Sequence, residues 1–145
     1  MGVPYDKDVI FWSREQGRLL RSGDFSGLDI EHLADEIEDV GKSEERERVN
    51  RMAVLLAHLL KWRFQPELRG NSWRSTISHQ RNRIGRALQK TPSLKPFLAD
   101  PEWRQDAWDD AVAIAAKETG RDLTFPDACP WPMEQILSAD FWPEA

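Results

Sequence analysis

Residues Met52 to Trp62 read MAVLLAHLLKW, a run that is apolar on nearly every side of a helix and holds one histidine, His58. A helix that is hydrophobic all round cannot face water on any side, so the rest of the chain must be arranged to cover it. The run is shorter than the ~18 apolar residues a membrane span needs. It is expected to be a buried core helix, and no membrane partner is expected. No positively charged segment leads into an apolar stretch near Met1, so no signal peptide is expected.

The limits of this helix follow from its flanks. Ser43 is expected to cap it, with Glu44 and Glu45 in the first turn where the helix dipole favours acids. Glu44–Arg48 and Glu47–Arg51 are spaced i,i+4 in the favourable order. Pro66 forbids continuation. The result is a long central helix over about 43–64, a rod of roughly 33 Å at 1.5 Å per residue. That is long against a radius of gyration of about 15 Å for a domain of this size.

The other elements are read from periodicity and punctuation. Tyr5 to Ser22 forms a first helix, ended by Gly23. Asp29 caps a second, Ile30 to Val40. Its Ile30, Leu33, Ile37 and Val40 share one face, opposite Glu31, Asp35, Glu36, Glu38 and Asp39, and Gly41 stops or kinks it. Asn71 or Ser72 caps a helix over Trp73–Lys90. Thr91-Pro92 opens a short helix to about Leu98. Asp100-Pro101-Glu102 opens another over Trp103–Thr119, stopped by Gly120. Its alanines permit close approach to the central rod. From Leu123 onward the chain is rich in Pro and Trp, with one short helix expected at Met133–Leu137. Prolines forbid a long helix there, and aromatics argue for packing onto the bundle. No strand, repeat or low-complexity segment is visible. The fold class is all-α: a single-domain helical bundle over residues 1–145, with 122–145 as a mostly irregular C-terminal wrap.

Charge is segregated along the chain. The 145 residues carry a net charge of −5. Residues 1–50 hold 7 basic and 13 acidic groups, residues 51–96 hold 10 and 1, and residues 97–145 hold 3 and 11. An acidic–basic–acidic order fits two situations: flanks that neutralise the middle, or a basic face for an anionic partner. One cysteine cannot form an internal disulfide, so a cytoplasmic setting is expected.

Several motifs, Asp35 to Glu44 (DEIEDVGKSE), His58 to Trp62 (HLLKW) with Gln65-Pro66, Ser72-Trp73, Thr76-Ile77 and Gln80-Arg81, resemble the bacterial domain-of-unknown-function family 29. Pro92-Ser93-Leu94, Glu118-Thr119-Gly120, Phe125-Pro126, Cys129-Pro130 and Asp140 to Pro143 also fit, so the resemblance covers nearly the whole chain. It implies an all-α bacterial protein and no established activity. The family commonly carries an acid where this chain has His79, and Gln-Tyr where it has Arg63-Phe64. A family-wide catalytic acid at position 79 is therefore not carried over.

Chemistry-bearing residues are sparse. His58 is expected to be a neutral core histidine with a hydrogen-bond partner, and Glu36 or Glu44 is a candidate for that partner. Glu36, Glu44, His58, Gln80 and Arg81 form a candidate polar network, read first as a structural lock because unpaired buried charge is costly. His32 and Glu36 are spaced i,i+4, but no recognised metal-ligand pattern accompanies them, so no metal and no cofactor are expected. Cys129 is expected to be a buried, inert thiol. No nucleophile-elbow or phosphate-loop signature occurs, and no catalytic residue is assigned. His79, Arg83, Arg86 and Lys90 recur on one helix face, and with Arg74 they are candidate contacts for an anion or nucleic acid. The first expectation is a non-catalytic protein–protein interaction or regulatory module, with a protein partner or a homodimer. The alternatives are a nucleic-acid accessory protein using helix 73–90, and a metal- or acid/base-dependent hydrolase around Glu36, His58 and Arg81.

Overall fold

In a computed structural model, residues 4–120 and 124–144 are described. The structure is helical, with no strand among the described residues. Among the described residues there are five α-helices: α1 Val9–Ser22, α2 Ile30–Phe64, α3 Asn71–Lys90, α4 Pro101–Thr119 and α5 Met133–Leu137. Three 3-10 segments, Phe25–Gly27, Pro66–Leu68 and Pro92–Ala99, fill the connections. The chain divides into two compact units, Met1–Glu44 and Glu45–Ala145.

Helix ends follow local chemistry. Asp8 caps α1 by accepting a hydrogen bond from the Phe11 amide at 3.1 Å. Gly23 closes it in the left-handed conformation at φ 77°, a region glycine enters without steric penalty. Asp100 caps α4 through the Glu102 amide, and Gly120 ends it at φ 61°. The segment expected as a short helix after Thr91 is the 3-10 run Pro92–Ala99, which contains Pro96. A proline there removes an amide donor and favours short, tight turns over an α-helix.

The main correction concerns the central helix. Sequence punctuation predicts a stop or a kink at Gly41 and a helix capped at Ser43, but α2 is one helix from Ile30 to Phe64. Glycine inside a helix costs only about 0.5–1 kcal/mol relative to alanine, less than a break that leaves backbone groups unpaired at two new ends. Good helix formers on both sides carry the structure through. The Glu47–Arg51 pair spans one of these turns at 2.8 Å.

In the second unit the apolar run is covered, with only Val54 and His58 of Met52 to Trp62 keeping partial exposure. Leu55, Ala57, Leu59 and Leu60 are completely buried, in one cluster with Ile77 and Ile84 of α3, Ala107, Ala111 and Ala115 of α4, and Trp131 and Ile136 of the C-terminal segment. Ala107, Ala111 and Ala115 of α4 lie in that cluster with no exposed surface. The C-terminal segment wraps this core. Phe125 meets Phe64 edge-on at 5.4 Å, Trp131 meets Trp108 at 5.9 Å, and Trp142 lies 4.7 Å from Trp62.

Two substitutions test this account by urea unfolding followed by circular dichroism. Leu59→Ala removes a fully buried side chain and is expected to cost about 2–5 kcal/mol. Gly41→Ala meets no atom within 4 Å of the added carbon and is expected to stabilise the helix by about 0.5–1 kcal/mol. A destabilising Gly41→Ala would show that the helix needs glycine at that point.

Candidate functional site

In the first unit, α1 and the start of α2 run antiparallel and are joined by polar side chains. The Asp29 amide donates to Gln16 Oε1 at 2.8 Å, Trp12 Nε1 donates to Asp29 Oδ2 at 3.0 Å, and Tyr5 OH donates to the Glu36 carboxylate. Asp29 also caps α2, accepting from the His32 amide at 3.3 Å, and its Oδ2 lies 2.7 Å from His32 Nδ1. The Tyr5 ring stacks on the His32 ring, with centroids 4.3 Å apart and planes 12° apart. The geometry fixes an imidazole between a carboxylate and an aromatic face.

Its electrostatics follow from those contacts. The hydrogen bond that His32 Nδ1 donates to the Asp29 carboxylate raises the His32 pKa above the ordinary imidazole value, and the same bond lowers that of Asp29. The hydrogen bond to Glu36 is the main reason the Tyr5 hydroxyl is pushed up to about 12. The carboxylate beside it favours the charged form of the His32 ring.

The same unit displays an apolar face. Ile30 is 70% exposed, Ile37 71% and Val40 68%. With half-buried Leu33 they recur at the 3,4 spacing of a coiled-coil seam. On α1, Val9, Ile10, Phe11 and Leu20 are also exposed, and only Trp12, Gln16 and Leu19 are buried. Of the nine exposed large hydrophobic residues, all but Leu68 belong to this unit.

The predicted polar residues fall in both units. Glu36 accepts from Tyr5, and Glu44 lines an open hollow with Glu36, Asp39, Val40 and Ser43. In the second unit, His58 is half-buried. Its Nδ1 lies 2.9 Å from the Val54 carbonyl of the preceding turn, so its partner is backbone and neither candidate carboxylate. Nδ1 is then the protonated nitrogen, and desolvation lowers the pKa, which favours the neutral ring.

Gln80 and Arg81 are buried neighbours on α3. Arg81 Nε donates to the Ile136 carbonyl at 2.9 Å and Nη2 to the Phe141 carbonyl at 2.7 Å, with the guanidinium 5.4 Å from the Trp142 ring centroid. Burial pushes its pKa down. Arg81 Nη1, Gln80 Oε1 and Gln65 Nε2 are buried without a hydrogen-bond partner among the described residues. Arg81 thus acts as a clasp, supplying donors to the carbonyls of an irregular segment that has no helix or sheet to satisfy them. Arg69 adds a second clasp, donating to the carbonyls of Trp62 at 2.6 Å and Pro143 at 3.3 Å.

The basic candidates are accessible. Arg74, His79, Arg83, Arg86 and Lys90 are all exposed on α3, and Arg74 lies over the Trp62 ring at 5.4 Å. Cys129 is half-buried, and desolvation raises its pKa, which keeps it a thiol. Among the described residues no group of three or more His, Cys, Asp or Glu is placed to hold a metal ion. No described helix is long and apolar enough to cross a membrane.

Sequence reasoning missed two arrangements. The cluster of Tyr5, Trp12, Asp29 and His32 carried one legible signal, since an acid at an N-cap three residues before a histidine puts both side chains in reach. The Lys61–Glu118 pair carried none. Lys61 reads as one more basic residue in the helix, yet it is buried, hydrogen-bonded to Glu118, and lies 5.2 Å from the Trp73 ring.

His32 and His58 are expected to titrate on opposite sides of about 6.5, the ordinary imidazole value, His32 above and His58 below. Imidazole proton chemical shifts followed against pH check this, and the reverse order would refute the site geometry. The stability consequence has a fixed sign. His32's contribution is complete below the unfolded imidazole pKa and is lost as pH rises through its raised folded value. That of Asp29 is present above its unfolded value and is lost as pH falls through its lowered folded value. The pair therefore supports the first unit between those limits, and His32→Gln is expected to remove the loss on the alkaline side.

No protein of curated function and no solved structure matches the chain. The resemblance carried by the sequence motifs is borne out by a family model described as domain of unknown function DUF29, which matches residues 4–142. The chain belongs to that family.

Proposed function

We propose that this protein is a non-catalytic protein–protein interaction module that works in the cytoplasm through the apolar face of its first unit. The observation that supports this is the exposure of Ile30, Ile37 and Val40 along one helical seam. A segment held by polar contacts has little apolar burial of its own, and covering the exposed side chains supplies what is missing. A hydrolytic site at Glu36, His58 and Arg81 has less support. His58 is held by a backbone carbonyl, and Arg81 has two donors on carbonyls of the C-terminal segment.

One observation favours a second reading. His79, Arg83, Arg86 and Lys90 are exposed together on α3, a stripe able to follow a phosphate backbone.

Photo-reactive residues placed singly at Ile37 and at Arg86 in cells expressing the chain separate the two. Protein docking at the apolar face gives discrete protein adducts from position 37. Adducts from position 86 alone that nuclease removes would overturn it in favour of nucleic acid, and no adduct from position 37 would also overturn it. In the nucleic-acid case affinity for mixed DNA or RNA must also fall steeply with log salt.

A further inference from the structure

The two helices of the first unit differ in charge as well as in position. Helix α1 carries Arg14, Arg18 and Arg21 against Glu15, whereas residues 30–44 of α2 carry Glu31, Asp35, Glu36, Glu38, Asp39 and Glu44 against Lys42. Each helix also exposes large apolar side chains: Val9, Ile10 and Leu20 on α1, and Ile30, Ile37 and Val40 on α2. Successive residues turn by 100° around a helix. With the pair antiparallel through Gln16–Asp29, Trp12–His32 and Tyr5–Glu36, this phase puts Val9 and Leu20 on the same side of the pair as Ile30 and Ile37. Arg14 and Arg21 then border that side on α1, and Glu31 and Glu38 border it on α2.

A partner for this face must bring apolar side chains and must meet an acidic rim on one half and a basic rim on the other. A second α2 laid on α2 would set acids against acids. A second copy of the whole unit, turned by a two-fold axis so that α1 lies on the partner's α2, sets each arginine rim against a carboxylate rim twice over. Side chains this exposed offer on the order of 100 Å² each, so Val9, Leu20, Ile30, Ile37 and Val40 provide more than half of the roughly 800 Å² that each partner contributes to a standard interface, and the charged rims lie around them.

We propose that a second copy of this chain occupies the face, forming a two-fold dimer in which α1 of each copy packs across residues 30–44 of α2 in the other. This rests on the docking role proposed above and names its partner. The exposed seam of Ile30, Leu33, Ile37 and Val40 becomes the centre of the interface, with Ala34 and Gly41 beside it letting the partner backbone approach closely. The seam residues exclude water, and the charged rims fix which helix meets which. The clustered Tyr5, His32 and Glu36 hold the two helices of each copy in the register that presents the face.

Sedimentation equilibrium of the full chain across micromolar concentrations tests this. The expected result is a dimer of the 16.8 kDa chain. Ile37→Asp should weaken association at least a hundredfold while helicity by circular dichroism is kept. Arg14→Glu and Glu31→Arg should each weaken it about tenfold, and the double swap Arg14→Glu/Glu31→Arg should recover most of that loss. A monomer at every concentration overturns the proposal, as does a dimer indifferent to Ile37→Asp or one that the double swap fails to rescue. A monomer whose Ile37 photo-adduct contains a different protein overturns the second copy and leaves the docking role standing. A monomer with no adduct at that position removes both.

Discussion

The second unit depends on the requirement that an all-apolar helical segment be covered on every side. Met52 to Trp62 has no polar face to offer water, so each neighbouring element is recruited to bury it. Helix α3 supplies branched aliphatics, α4 supplies alanines that let it approach closely, and the C-terminal segment closes the remaining side with aromatic rings. Burying a leucine fully contributes about 1.5–3 kcal/mol, and this gain must exceed the entropy of ordering the segments that provide the cover.

Covering the last side with an irregular, proline-rich segment creates a second requirement. Such a segment has no regular ladder for its carbonyls, and a buried carbonyl without a donor is costly. Arg81, Arg69 and the Trp108 indole answer it by donating to the carbonyls of Ile136, Phe141, Pro143 and Pro126. The buried arginine is thus a consequence of how the hydrophobic core is closed. Its charge rests on carbonyl dipoles and the face of Trp142, which offset part of its desolvation.

The first unit is built on the opposite balance. It is held by hydrogen bonds and one stacked pair around Asp29 and His32, with few buried apolar residues, and its large hydrophobic side chains are exposed. A surface composed this way gains more from a partner than the second unit does, because the burial it lacks is the largest favourable contribution available to a helical segment. The difference between the halves is also a difference in where function is sought: Arg81 and Arg69 of the second unit are engaged in closing its core, whereas the large apolar side chains of the first unit face outward.

Much of this was legible in the residues. The apolar run identified the core, Gly23, Asp100 and Gly120 marked helix ends, and prolines identified the irregular segment, because all of these depend on one or a few neighbouring residues, whereas the first helix begins at Val9 behind an Asp8 cap and not at Tyr5. Periodicity found the Ile30, Leu33, Ile37 and Val40 face, but a pattern of spacing is the same whether that face meets a core or water. Gly41 looked like a stop because its local penalty is visible and the stability of the turns on either side is not. What only the tertiary structure decided was partnership across the sequence: Arg81 with carbonyls 55 and 60 residues away, Lys61 with Glu118, and Tyr5 with Glu36. These contacts depend on where whole helices lie in space, which follows from how all the apolar faces are buried together and from no single stretch of chain.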